Sequence, residues 1–161
     1  MRKPTSVNAL DKLGRVRLSK HFFMRDMLHS EVAQIHGLAN IPDDPDLAIE
    51  TGTRLCEDLL EPLNARWGRI VVRSGYRAPD VNAFGNKRGF SCGTNEHTAA
   101  GHIWDVRDAE GRTGAMATVV VPGFLDQVTE EGGWRRLAWW IHDHLPYDSL
   151  WFFPKLWAFN I

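Results

Sequence analysis

Leu55, Leu59, Leu63 and Trp67 fall at every fourth position, and apolar residues at that spacing line one side of an α-helix that the rest of the chain must cover. Ahead of them, Asp44 and Pro45 have the form of an N-cap followed by a first-turn proline, and Gly68 behind them supplies a stop. The spacing predicts one long amphipathic helix in the middle of the sequence. With 161 residues, 43% of them hydrophobic, the chain can wrap that helix in a single core without a structural metal. Cys56 and Cys92 form no C-x-x-C pair, so neither a disulfide framework nor a redox motif is expected.

Charge narrows the partners. Lys and Arg number 19 against 20 Asp and Glu, a net charge of −1, which leaves no broad positive field to hold phosphate backbones. Nucleic acid is therefore not an expected partner. Basic residues gather at Arg2, Lys3, Lys12, Arg15, Arg17 and Lys20 without aromatic residues for base stacking. Residues 1–17 read as a solvated basic segment ahead of a single domain, residues 18–161. The start MRKPTSVNAL lacks an apolar run, and the longest apolar stretch, Ala117 to Val121, is too short to span a bilayer. The expectation is synthesis in the cytoplasm with no signal peptide and no membrane partner.

The remaining pattern mixes both kinds of element. Ser19 is placed to cap a helix over Lys20 to Leu28, and Ser30 to cap a turn that runs to His36 and stops at Gly37. Arg69 to Arg73 is a β-branched run bounded by glycines, the pattern of a strand that ends in a loop. Pro79 to Gly101 is polar without a sustained period and reads as a loop, followed by a strand at Ile103 to Val106. Trp134, Leu137, Ala138, Ile141 and Leu145 mark a helix face, and Leu150 to Phe153 and Trp157 to Ile161 two closing strands. This order predicts an α+β fold.

Two places carry the strongest chemistry. His97, His102 and Asp105 supply nitrogen and oxygen donors that zinc accepts; the ordinary alternative is a loop histidine and a strand-end carboxylate bonded to backbone amides. Ser74-Gly75-Tyr76-Arg77 follows a strand, where a guanidinium can clamp a carboxylate through two hydrogen bonds; its alternative is a turn with a surface ion pair. His142 and His144, two positions apart on a helix, point to opposite sides and cannot share a metal. The aromatic-rich end, from Trp139 to Phe159, reads as core rather than as a ligand groove.

Leu18-Ser19-Lys20-His21-Phe22, Glu61-Pro62-Leu63, Ser74-Gly75-Tyr76-Arg77-Ala78-Pro79 with Val81-Asn82, and the later His97, Gly101 and Asp105 together resemble the zinc D-Ala-D-Ala carboxypeptidases and related peptidoglycan endopeptidases. The likeness is greatest to short, phage-associated members and runs from about Leu18 to Ile161. Pro146-Tyr147-Asp148 with Leu150, and the final strand at Trp157 to Ile161, are similar to the family's late segments.

The resemblance implies a small antiparallel sheet with flanking helices, of the hedgehog and D-Ala-D-Ala peptidase type. It also implies zinc held by histidine and aspartate, here His97 and Asp105 with His102 as a rival ligand, and a substrate-binding group of Ser74, Tyr76 and Arg77. On that basis Arg77 and Asp105 are expected to face one cleft. The sequence departs from the family where the last strand presents Asn160 instead of a second zinc histidine, and where no glutamate follows Glu131 to serve as general base. His97 also stands one residue further from Asp105 than the family spacing. A continuation past Ile161 would be the place for the absent groups, and zinc is expected to bind weakly. The implied function is a metallopeptidase-like domain acting on cell-wall peptides that contain D-amino acids, a zinc-dependent peptidoglycan peptidase if active, with the choice between a working hydrolase and a lapsed one left open by the sequence. The alternatives are a non-catalytic peptidoglycan-binding or structural module of a phage or virion, and, more distantly, a metal-dependent nuclease. Reaching peptidoglycan would require phage lysis or carriage in a virion.

Overall fold

The computed structural model describes residues 1–161. The central element is the helix that the leucine spacing predicts. Asp44 accepts a hydrogen bond from the Leu47 amide, Pro45 opens α4 (Pro45–Leu55), and the axis continues through a π-helical turn (Cys56–Leu60) into α5 (Glu61–Trp67). The wide turn has a local cause: Pro62 lacks an amide proton, and its ring would strike the carbonyl four residues back in a regular α-helix. Leu55, Leu59, Leu60 and Leu63 are buried on the inner face, and Gly68 ends the helix at φ +77°.

Four short strands cover one side. β1 (Val71–Ser74), β2 (Thr118–Val120), β3 (Trp151–Phe153) and β4 (Ala158–Asn160) form a wholly antiparallel sheet in the order β1-β2-β4-β3. The fold is α+β, as predicted. The last helix (Trp134–His144) buries Leu137 and Ile141, and the turn from Ser30 is a helix, α3 (Glu31–His36), that stops at left-handed Gly37.

Several expectations are corrected. The first 17 residues are not merely solvated, because α1 (Val7–Gly14) packs Leu13 fully into the core. The helix expected over Lys20 to Leu28 shrinks to α2 (Met24–Met27), for Ser19 caps nothing. Its hydroxyl donates to Glu61 Oε1 at 2.6 Å, while Arg17 draws the Ser19 and Lys20 carbonyls to itself. Pro79 to Gly101 carries two helices, Pro79–Lys87 and Asn95–Thr98. The first escapes a period search because its buried face is Val81, Asn82 and Gly85, only one of them a large apolar residue. Ile103 to Val106 is not a strand; its backbone serves tertiary partners, as when the Trp104 carbonyl accepts from Thr51 Oγ1. The missing strand is β2, inside the apolar run at Ala117 to Val121. The aromatic end is core only in part: Phe159 is buried and stacks on Phe152 at 4.9 Å, but Trp151 is 68% exposed.

Candidate functional site

β1 delivers its C-terminal end, Ser74, into a segment that must pass very close to α2. A Cβ on Gly75 would stand 2.8 Å from the Met27 carbonyl oxygen, and the Tyr76 amide donates to that same oxygen at 2.9 Å. Held extended there, neighbouring side chains turn to opposite sides. Tyr76 goes inward, fully buried edge-on to Trp104 at 6.1 Å, and Arg77 goes outward. Tyr76, expected among the substrate-binding residues, is thus a core residue.

Arg77 opens onto a cleft of about 530 Å³ whose wall includes Ser74, His97, His102, Thr118 and Asn160. Its guanidinium donates to Asn82 Oδ1 at 3.0 Å and, weakly, to Ser74 Oγ at 3.5 Å. No carboxylate pairs with it, and burial lowers its pKa without threatening its charge. Asn82 fixes that geometry. It is completely buried, and its amide nitrogen donates to the Gly93 carbonyl at 3.0 Å and to Asn95 Oδ1 at 2.8 Å, tying the arginine to the Asn95–Thr98 helix. Sequence reasoning noticed Asn82 only as part of a motif; the signal was a polar residue on the inner face of a helix.

That short helix also carries His97. Thr94 caps it by accepting from the His97 amide at 3.3 Å, and the imidazole lies over Gly93, where a Cβ would come within 3.1 Å of the ring. His102 is buried in the same wall with Nδ1 2.9 Å from the Gly75 carbonyl. A carbonyl can only accept, so Nδ1 carries the proton and Nε2 is left as a bare lone pair. Burial, and then the Arg77 charge, push the His102 pKa down to about 4. The ring is neutral at physiological pH. Asn160 Oδ1 accepts from Thr118 Oγ1 at 2.6 Å, and both residues line the cleft that the two histidines line, so the final strand contributes to its wall.

Asp105 is elsewhere. Its Oδ2 accepts from the Asp43 amide at 2.7 Å and the Asp44 amide at 3.2 Å, and it does not line the cleft. Its Oδ1 and the Tyr76 hydroxyl are buried without a well-formed partner, and burial together with the Asp105 charge pushes the phenol pKa up. The expectation that Arg77 and Asp105 face one cleft is therefore corrected, for the carboxylate has turned to staple the start of α4. A catalytic zinc site needs three protein ligands and an open position. Here two imidazoles share a cleft, the third donor points away, and no group of three or more His, Cys, Asp or Glu side chains stands together to hold a metal. The residues as arranged do not fit that centre. No helix is long and apolar enough to cross a membrane. No protein-family model matches the chain, and neither a curated protein nor a solved structure matches it.

Proposed function

We propose that this chain is a D-Ala-D-Ala peptidase-like domain that binds, without cleaving, the C-terminal carboxylate of a cell-wall peptide in the Arg77 cleft. The observation that supports this is the guanidinium itself: half-buried, locked by Asn82 and lacking an internal carboxylate, it is a cation whose partner has to come from outside. Ser74 Oγ and the bare Nε2 of His102 add polar groups that a peptide can meet. The apolar rim of Val32, Phe90 and Leu156 suits small methyl side chains. Cleavage is not part of the reading, because the donors for a zinc-bound water do not converge.

Titration calorimetry with N-acetyl-lysyl-D-alanyl-D-alanine tests it. Binding is expected, with loss on Arg77→Gln and on conversion of the peptide carboxylate to its amide. Equal affinity for acid and amide would defeat the carboxylate reading. Release of free D-alanine in the presence of added zinc would replace binding with hydrolysis.

A further inference from the structure

β1 is an edge strand whose second side is free: β2 pairs with it, and no backbone bond beyond that ladder uses the amides or carbonyls of Ile70, Val71 or Val72. A cleft of about 850 Å³ runs along these three residues. No residue of β2, β3 or β4 lines it, so it lies on the unpaired side of β1, and it shares no lining residue with the Arg77 cleft. Val71 is 45% exposed. An apolar edge of this kind is a template for a further strand.

The wall facing that edge is cationic. Arg25 and Arg69 both line the cleft and neither pairs with a carboxylate; Arg25 spends only Nε, on the Gly14 carbonyl at 3.2 Å. His21 and His29 also line the cleft, but His21 is bonded through Nδ1 to Glu61 Oε2 at 2.6 Å, so the free positive charge of the wall is that of the two arginines. The single carboxylate in the wall, Asp26, is occupied in accepting from the Phe23 amide at 2.8 Å. A second copy of this chain is a poor occupant, because the apolar run is bracketed by Arg69 and Arg73 and antiparallel self-pairing would set arginine against arginine.

We propose that this cleft docks an extended acidic segment of a partner protein, which adds as a short strand to the free edge of β1 and sets its carboxylates against Arg25 and Arg69. Main-chain hydrogen bonds to the edge would supply affinity, and the guanidiniums would supply selection for acidic sequence.

Fluorescence anisotropy with a labelled Glu-Val-Glu-Val-Glu-Val peptide tests the proposal on the full chain. Binding is expected, weakening as salt is raised. Arg69→Glu, a change at an exposed side chain without hydrogen bonds, should weaken it at least ~10-fold, equivalent to about 1.4 kcal/mol, with an unchanged circular dichroism spectrum. N-methylation of alternate peptide amides, which keeps the charge but blocks the ladder, should weaken it as much. Absence of binding, or equal binding of the N-methylated peptide, would overturn strand addition. A concentration-dependent dimer in sedimentation, strengthened by Arg69→Glu because the new carboxylate would then face Arg73, would give the edge to a second copy instead.

Discussion

Asp105 and Arg77 show how single residues of one motif part company in the folded chain. Arg77 keeps a place where a ligand can reach it, while Asp105 is absorbed by the amides of Asp43 and Asp44. Hydrogen bonds to a charged acceptor contribute about 1.5–3 kcal/mol each, so Asp105→Ala is expected to lower stability by at least about 2 kcal/mol in urea unfolding, and Asp105→Asn by less. A loss that appears only when zinc is present would assign the residue to metal instead. His102 gives a second prediction with a sign. Its folded pKa of about 4 lies below the ordinary 6.5, so between those values the unfolded chain binds the extra proton. Stability is then full above about pH 6.5 and falls as pH drops toward 4, by about 3 kcal/mol if the whole shift is expressed. Denaturation at pH 7, 5.5 and 4.5 should show the slope, and His102→Gln should flatten it.

Elements were legible where local rules and the core agree. Asp44, Pro45, the leucine stripe and Gly68 describe one helix by capping and period alone, and the structure keeps all of them, adding a π-turn beside Pro62. The Pro79–Lys87 helix was illegible for the opposite reason: Asn82 occupies a core position because Arg77, Gly93 and Asn95 satisfy it there, and all three lie outside the helix, where its own period says nothing of them. Ser19 obeys the capping rule on paper and is taken by Glu61 in space. The packing of α4 is testable at Gly52, where an added Cβ would stand 2.7 Å from Trp104 Cζ3. Alanine favours a helix by about 1 kcal/mol over glycine, whereas overpacking costs about 1–3 kcal/mol. The clash should win, because Trp104 is fully buried and has nowhere to move. Gly52→Ala is expected to unfold at lower urea than the parent chain, and Trp104→Phe in the same chain should recover part of the loss.

Across the whole molecule, the sheet brings the last strand onto the same cleft as His97 and His102. Asn160→His would carry a third imidazole to that wall. The expected outcome is stoichiometric zinc retained after dialysis by the variant and not by the parent chain; retention by the parent would mean that Asp105 or another donor turns inward. The cysteines report on the core. Cys56 is fully buried, with burial pushing its thiol pKa up, whereas Cys92 is partly exposed, and both are free. One thiol should react with a disulfide reagent in the native chain and two after denaturation, and a bridge between them would contradict the fold. The sequence by itself determined what depends on near neighbours: the central helix and its ends, the α+β class and the closing strands. It did so because capping, periodicity and β-branched runs act within a few residues. Which side chains meet was decided only in three dimensions. Asp105 finds two amides some sixty residues away, Tyr76 turns into the core, and His102 loses its proton to burial and to Arg77. Desolvation and hydrogen-bond competition are set by neighbours that the chain supplies from afar.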